Sequence, residues 1–234
     1  MNYLQNAALF VGVAATVAMT PFVAQAQICT NFSQTPLTKS RLDQIATSQG
    51  IPLSQVGVKF ERFALRTLKQ GNPIPPNNRP FYSPLRDAKG IAHVEPDEVV
   101  PLVVNIIPFL DPQTYPDAIF YEAKAVKGTL LPPSYQDYQI LCFLDVLGSN
   151  PARATDENPA IVFMTTSDVH KISKKTMAEA TRRDIGVWHS IGCEVTPSSG
   201  DLQMGEAVLR NPLVYLFNIR FPTGYGGPGN IGRI

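Results

Sequence analysis

The chain contains 234 residues and carries 20 lysine and arginine residues against 19 aspartate and glutamate residues, a formal net charge of +1. This balance excludes a polybasic protein that holds nucleic acid by bulk electrostatics, while a local basic site remains compatible with it. The content of 44% hydrophobic and 17% charged residues is that of a globular protein and excludes a disordered chain. The 21 prolines predict long ordered loops and few long helices.

Residues 1–26 have the pattern of a secretory signal peptide. An apolar run over residues 7–19 is followed by Ala24-Gln25-Ala26, a small-x-small pattern, so we expect cleavage after Ala26. No lysine or arginine precedes the run, which departs from the usual pattern, and an uncleaved membrane anchor is the alternative. We therefore predict a secreted or periplasmic protein without a membrane anchor after cleavage.

The cysteines predict at most one disulfide. The mature chain holds only three of them, so the fold does not depend on a disulfide framework. We expect Cys142 to be a buried thiol, because it lies in the apolar segment ILCFLDVL. The bridge that merits a test is the one between Cys29 and Cys193. No spacing of cysteine and histidine matches a zinc site, and the three isolated histidines are expected to be surface or strand residues.

Periodicity and turn signals define the order of the secondary structure. Gly50 and Gly71 are expected to end the first two helices, and Ser54 is expected to cap the second. The predicted elements are helices at about 38–48 and 54–70, a loop at 71–86, strands at about 91–107 and 118–126, a helix at about 134–147, a strand at 160–168, a helix at 173–184, a strand at 187–195 and an apolar segment at 214–221.

This order predicts a mixed α/β (α+β) fold, in which helices flank a central mixed sheet and a helical hairpin stands at the N-terminus. We expect a single domain over residues 27–234. It comprises a helical part at 27–71, a sheet core at 72–222 and a Gly/Pro-rich tail at 223–234. The hairpin also has the spacing of a helix-turn-helix, but packing of two helices on the sheet explains the same residues.

The strand predicted at 118–126 carries the residues that indicate chemistry. Alternate residues of a strand share a face, so Glu122 and Lys124 would point the same way about 7 Å apart. A carboxylate and a lysine on an otherwise apolar strand are costly to bury without a purpose. The pair suits phosphodiester hydrolysis, in which a carboxylate binds Mg²⁺ and a lysine stabilises developing charge or positions water. A surface-facing pair is the structural alternative.

Two aspartates are candidates for a second metal-binding carboxylate. If Asp117 and Glu122 lie in one extended strand, they are about 16 Å apart and on opposite faces. Asp97 belongs to a separate strand candidate, and neighbouring strands are only about 4.8 Å apart. Geometry therefore favours Asp97, and Asp117 remains an alternative if a sharp turn or bulge intervenes. Asp97 could also occupy a simple turn after Pro96.

An Asp on one strand and a Glu-x-Lys on the next resemble the PD-(D/E)XK nuclease superfamily. A helix residue extends the resemblance, because Glu61 shares a predicted apolar face with Val58, Leu65 and Leu68. Many members of this superfamily supply a further acidic residue from the helix that precedes the sheet. Glu61 could instead be a solvated helix residue that pairs with Arg62 or with Lys69.

The helix predicted at 134–147 adds a further likeness to this superfamily. Gln139 and Phe143 stand one turn apart, which is similar to the family's Gln-x-x-x-aromatic helix, although Gln139 could simply decorate its helix. The match covers roughly residues 54–168 and implies a restriction-endonuclease-like fold. It also implies the site roles: Asp97, Glu122 and Glu61 as metal ligands, Lys124 as the charge-stabilising residue and Gln139 as the residue that orients the site.

The resemblance implies an exported nuclease that depends on Mg²⁺ or Mn²⁺ and hydrolyses nucleic acid, with DNA favoured as the substrate. Export suggests a toxin or effector aimed at another cell, or a scavenging enzyme, and a toxin would require an inhibitor or immunity protein in the producing cell. The alternative is a non-enzymatic exported binding or interaction protein on a degenerate nuclease scaffold. One basic set could contact phosphates or could be a solvated helix face: Lys171, Lys174, Lys175, Arg182 and Arg183.

Overall fold

Helices and strands alternate along the described part of the chain. The computed structural model describes residues 29, 34–68, 77, 80–83, 85, 94–101, 118–132, 137–148, 159–196, 201–211 and 233–234. Its helices are α1 (Lys39–Ser48), α2 (Val56–Leu68), α3 (Asp137–Leu147) and α4 (Lys174–Arg182), and a short 3-10 helix covers Leu53–Gln55. Its strands are β1 (Thr35–Pro36), β2 (Glu98–Pro101), β3 (Ala118–Lys124), β4 (Leu130–Leu131), β5 (Ala160–Thr165), β6 (Lys171–Ile172), β7 (Gly186–Thr196), β8 (Asp201–Met204) and β9 (Val208–Leu209).

The main sheet has the strand order β1-β7-β5-β3-β2, and β8 and β9 also pair with β7. The central strands β3, β5 and β7 run parallel, whereas β2 lies antiparallel to β3. A parallel strand covered on both faces requires a continuous apolar run, which β5 supplies with the sequence AIVFMT. The strands β4 and β6 form a separate two-stranded parallel sheet that follows the carboxyl ends of β3 and β5.

The helices α1 and α2 pack on one face of this sheet. Thr38 caps α1 by accepting a hydrogen bond from the Arg41 N–H, and the chain leaves the helix through Gly50, which adopts a φ of 71°. Apolar side chains of both helices join one buried cluster with the sheet: Leu42, Ile45, Ala46, Phe60, Phe63, Ala64, Leu65, Ile119 and Tyr121. The N-terminal helices therefore cover the sheet, as predicted.

The helices α3 and α4 cover the opposite face. Ile140 and Phe143 of α3 pack in a second apolar cluster with Phe120 of β3. Arg183, which follows α4, pairs with Asp145 of α3 at 2.8 Å and so ties the two helices together. Helices thus flank a central mixed sheet, and the predicted mixed α/β class is confirmed.

The start and the buried face of α2 differ from the prediction. Ser54 was expected to cap this helix, but it lies inside the 3-10 turn that follows Pro52, and the α-helix begins only at Val56. Val58 was expected on the buried face and is 51% exposed. The buried face instead runs through residues such as Phe60 and Ala64, which leaves Val58 outside the contact with the sheet.

Several predictions lie outside the described residues. These are the signal peptide at 1–26, residues 69–70 of the second helix, most of the loop at 71–86, residues 91–93 and 102–107 of the first strand candidate, residues 134–136 of the third helix, the apolar segment at 214–221 and most of the tail at 223–234. Among the described residues, no helix is long and apolar enough to cross a membrane. The short strands β1, β4, β6, β8 and β9 were not predicted.

Cys29 and Cys193 form a disulfide, with their Cα atoms 6.0 Å apart, and Cys142 is a buried free thiol. The buried thiol predicted at Cys142 is therefore confirmed, and the bridge that merited a test is present. The bridge joins positions 164 residues apart and fastens the N-terminal segment to the middle of β7. A disulfide of this kind is compatible with an extracellular location.

Two exposed glycines near the N-terminal helices should respond oppositely to substitution by alanine. A Cβ atom at Gly50 or at Gly57 would meet nothing within 4 Å, so no clash decides the outcome. Gly50 has a positive φ, which costs an alanine roughly 1–2 kcal/mol, so Gly50→Ala should destabilise the protein. Gly57 lies inside α2 with ordinary helical geometry, so Gly57→Ala should stabilise it by about 0.4–1 kcal/mol. Urea unfolding midpoints measure both, and shifts of the same sign would contradict the prediction.

Removal of the disulfide should lower the free energy of unfolding by about 2–4 kcal/mol, because a bridge that closes a long loop restricts the unfolded chain. Cys29→Ser is the suitable change, since Cys193 is fully buried in the core whereas Cys29 is half-buried. Urea unfolding under oxidising conditions measures the loss. Reduction of the wild-type protein should reproduce it, and Cys142→Ser should leave the sensitivity to reductant intact. Equal stability of the oxidised and reduced wild type would show the prediction to be wrong.

Candidate active site

Glu122 is a fully buried carboxylate near the end of the central strand β3. Its Oε1 lies 2.5 Å from Lys124 Nζ, and the side-chain exposures are 0% for Glu122 and 18% for Lys124. Strand alternation places both residues on the face of Phe120, which α3 covers. The predicted same-face pair is present, and it is a buried ion pair, so the surface-facing alternative is wrong.

Asp97 lies beside this pair, in the bend that leads into β2. The antiparallel register pairs Glu98 with Tyr121, so continuing it by one residue sets Asp97 opposite Glu122. The Ala123 N–H donates a hydrogen bond to Asp97 Oδ2 at 2.6 Å, which fixes the carboxylate against β3. Asp97 therefore occupies the position that strand geometry favoured. The alternative, Asp117, lies outside the described residues.

The two carboxylates oppose each other's ionisation. Burial, and secondly the neighbouring Asp97 carboxylate, raise the pKa of Glu122 to about 8, although Lys124 acts in the other direction. Burial also raises the pKa of Asp97, against the lowering effects of the Ala123 N–H and of Lys124. One ammonium therefore does not compensate two buried carboxylates, and the site favours the uptake of a further positive charge.

Glu61 and Lys124 belong to the same electrostatic cluster. Burial works to lower the pKa of Lys124, but the carboxylates of Glu122, Asp97 and Glu61 outweigh it and hold the pKa above its usual value. The pKa of Glu61 is raised by burial first and by Asp97 second, while Lys124 and Arg62 lower it. Glu61 is half-buried on α2 and interacts electrostatically with Asp97 and Lys124, so Lys124 is the residue that all three carboxylates share.

Gln139 is not joined to this cluster. It lies in α3 as a half-buried side chain, with Phe143 buried one turn further on. No hydrogen bond among the described residues links Gln139 to the Glu122–Lys124 pair. Its helix packs on the same face of the sheet as the pair, through Ile140 and Phe143.

A second polar network, which the sequence did not indicate, adjoins the pair on the same sheet. Thr165 stands beside Lys124 in the parallel register, and its Oγ1 lies 2.7 Å from Nε2 of His189 on β7. Arg210 Nη2 lies 3.0 Å from Nδ1 of the same ring, so the guanidinium donates to Nδ1 and the proton of the neutral ring lies on Nε2. Burial and Arg210 lower the pKa of His189 to about 3, which keeps the ring neutral.

The donor set fits a hard cation. The donors to the Glu122 carboxylate among the described residues are the Lys124 ammonium, 2.5 Å from Oε1, and the Asp97 backbone N–H, which leaves lone pairs for a ligand. Within the described segments no group of three or more His, Cys, Asp or Glu residues is placed to hold a metal ion, so the predicted set of Glu61, Asp97 and Glu122 is not assembled as one. Mg²⁺ is commonly held by one or two carboxylates together with water and substrate phosphates, and Asp97 and Glu122 meet that requirement.

Comparison of the chain with protein-family models, with curated proteins and with solved structures found no match. The assignment of a function therefore depends on the geometry and the electrostatics of the site itself.

The raised pKa of Glu122 predicts how stability varies with pH. A glutamate in the unfolded chain titrates near 4.5, so between about pH 4.5 and pH 8 the folded state keeps a proton that the unfolded state has lost. The contribution of Glu122 to the free energy of unfolding should therefore fall as the pH rises through this window, by at most about 1.4 kcal/mol per pH unit for one proton. His189, which stays neutral in the fold and titrates near 6.5 in the unfolded chain, contributes a slope of the opposite sign below that pH. Urea unfolding without divalent metal at pH 7, 7.5 and 8, above the His189 range, therefore measures the Glu122 slope.

Two glutamine variants separate this effect from general charge effects. Glu122→Gln should flatten the slope, because it removes the titrating group. Glu179→Gln should retain the slope, because its arginine partners hold the pKa of Glu179 at about 2, below the window. A wild-type stability that rises between pH 7 and pH 8, or equal slopes in wild type and Glu122→Gln over that range, would contradict the assignment.

Proposed function

We propose that the protein is an exported nuclease that uses Mg²⁺ or Mn²⁺ to hydrolyse phosphodiester bonds of nucleic acid, with DNA as the favoured substrate. The observation that carries this proposal is the buried Glu122–Lys124 ion pair with the Asp97 carboxylate facing it across the β2–β3 register. The order of these residues on two adjacent strands supports a restriction-endonuclease-like arrangement of the mixed sheet.

Stability alone does not account for this cluster. A buried ion pair usually recovers little more than its desolvation cost, and a second buried carboxylate beside it adds repulsion. The pKa of Glu122, raised by burial and by Asp97, is the direct sign of that repulsion. Buried ionisable groups with perturbed pKa values at the carboxyl ends of strands are typical of sites that bind a charged ligand.

Each residue has a distinct role in the proposed reaction. Asp97 and Glu122 would hold the divalent cation, which when bound acts as a Lewis acid on the scissile phosphate and favours hydroxide formation from water. Lys124 presents a fixed ammonium that stabilises negative charge developing on the phosphate. Glu61 adds a third acidic group to the cluster and raises the local affinity for cations. Gln139 would orient the site only if substrate or metal draws it closer.

Export follows from the signal-peptide pattern at residues 1–26, and the Cys29–Cys193 disulfide supports an oxidising destination. An exported nuclease serves as a toxin or effector, or as a scavenging enzyme. A cell that makes a nuclease toxin needs protection while the protein is still inside it. An inhibitor or immunity protein that covers the Glu122–Lys124 cluster would supply this protection.

A non-enzymatic binding protein on a degenerate nuclease scaffold is the second candidate function. It is favoured by the absence of a three-ligand metal group within the described residues and by the separation of Gln139 from the cluster. Under this function the acidic cluster around Lys124 would bind a cationic group of a partner, and no bond would be cleaved.

The nuclease proposal predicts metal-dependent cleavage that Lys124→Ala reduces about 10²–10³-fold, because removal of one preorganised charge typically costs that much in rate. Plasmid DNA and structured RNA are incubated with purified, disulfide-bonded protein and Mg²⁺, Mn²⁺ or EDTA. Lys124→Ala should still fold, because Glu122 takes up a proton when its partner is lost. A thermal unfolding scan verifies the fold. Lys39→Ala is the matched control, since Lys39 pairs with Asp43 on α1 and lies outside the cluster.

Carboxylate variants identify the metal ligands in the same assay. Glu122→Gln and Asp97→Asn should lose activity and recover part of it at high Mn²⁺ concentration, whereas Asp117→Asn should cleave like the wild type. Loss of activity in Asp117→Asn but not in Asp97→Asn would reverse the assignment of the aspartate. Wild-type protein that cuts neither substrate with any divalent metal would refute the nuclease proposal and favour the binding protein.

A further inference from the structure

Four exposed lysines from three segments form a basic surface beside the small sheet of β4 and β6. Lys127 lies in the loop after β3, Lys171 begins β6, and Lys174 and Lys175 occupy the first turn of α4. The Thr129 carbonyl accepts the Lys171 N–H at 3.0 Å, which holds the Lys127 loop against β6. We call these four residues the lysine surface.

The structure divides the basic residues of this region into two groups. Arg182 and Arg183 both pair with Glu179 at 2.6 Å, so a local carboxylate neutralises much of their charge. Among the described residues, the four members of the lysine surface form no ion pair and no side-chain hydrogen bond. The charge of the lysine surface is therefore available to a ligand, whereas that of the arginines stabilises the fold.

The position of the lysine surface is unfavourable for folding. Lys174 and Lys175 lie at the N-terminus of α4, where the helix dipole is positive and disfavours cations. The first turn contains no acidic residue that would offset them. Lys127 and Lys171 add like charges from the neighbouring loop and strand. A bound polyanion would remove both penalties at once.

The lysine surface adjoins the candidate active site. The strands β3 and β5 are parallel, so Lys124 and the sheet of β4 and β6 lie at the same edge. Lys127 follows Lys124 by three residues, which an extended chain spans in about 10 Å. Leu131 and Ile172 of the small strands pack in the same apolar cluster as Phe120, so the small sheet lies on the face to which Lys124 belongs.

We propose that the lysine surface binds the sugar-phosphate backbone of a nucleic acid next to the bond that is cut. The inference rests on the proposed function, because it extends the same site to the flanking phosphates. The phosphates of one strand of a DNA duplex are spaced about 3.4 Å along the helix axis, so a surface of four lysines beside Lys124 contacts several of them. Lysine is a point charge without the two-pronged geometry that reads bases, so this binding is independent of sequence.

The salt dependence of DNA binding tests this inference. Binding of a fluorescein-labelled 20-base-pair duplex is measured by anisotropy in EDTA, where no cleavage occurs, at several salt concentrations. Lys171→Gln, Lys174→Gln and Lys175→Gln are combined in one variant. This variant should bind at least about tenfold more weakly at 0.1 M salt, and the slope of log K against log salt should become shallower by about two to three.

A matched variant removes three positive charges elsewhere. It combines Lys39→Gln, Arg182→Gln and Arg233→Gln, which are each paired with a carboxylate in the fold. This control should keep both the affinity and the salt slope close to the wild type. Thermal unfolding of both triple variants verifies that the fold is retained, and Lys127→Gln alone should reduce the slope by about one.

The outcomes distinguish the inference from the proposed function. Wild-type affinity and slope in the lysine-surface variant would overturn the inference, even if the wild type cleaves DNA. Equal losses in both triple variants, or binding to phosphatidylserine vesicles with none to DNA, would also overturn it. A weakened, shallower salt response in the lysine-surface variant alone supports the inference. If that result accompanies a wild type that cuts nothing with any metal, the lysine surface stands as a nucleic-acid contact while the nuclease proposal fails.

Discussion

The central constraint on this structure is the burial of the Glu122 carboxylate on β3, a central strand of the main sheet. A buried ionised carboxylate is costly without a partner, and the protein supplies Lys124 two residues along the same strand. The Asp97 carboxylate undoes part of this compensation, because it lies in the bend before the neighbouring strand β2 and raises the pKa of Glu122. The cluster is therefore stabilised by an added proton or cation, and this property supports the proposed metal-dependent chemistry.

Strand pairing and helix packing around β3 hold this electrostatically unfavourable cluster in place. β3 is flanked by β2 and β5, and it is buried between the α1–α2 layer and the α3–α4 layer. On the far side of the sheet, β7 is fastened by the Cys29–Cys193 disulfide, and Arg41 binds the buried Glu194 through two nitrogen–oxygen contacts of 2.7 and 3.0 Å. The disulfide and the Arg41–Glu194 ion pair thus stabilise the fold away from the cluster, whereas the mutually repelling carboxylates lie at the carboxyl end of β3.

The sequence could predict the features that depend on residues close together in the chain. It could predict few of the features that depend on pairing between distant segments. The apolar run of β3 and its Glu-x-Lys were visible because alternation along one strand is a local property. The strands β8 and β9 were missed because they are short and exist through pairing with β7. The network around His189 was missed for the same reason, since its partners Thr165 and Arg210 come from other strands. Ser54 failed as a cap because the preceding Pro52 opens a 3-10 turn instead.

A net charge of +1 excludes binding by bulk electrostatics, but the pairing of charges decides where positive potential accumulates. Glu179 and Asp145 together neutralise Arg182 and Arg183, and Glu194 neutralises Arg41, so this part of the cationic content stabilises the fold. The lysine surface keeps its charge at the edge of the sheet where Lys124 ends β3. A nearly neutral chain can therefore present exposed positive charge at one place, because several of its acids pair with arginines elsewhere in the fold.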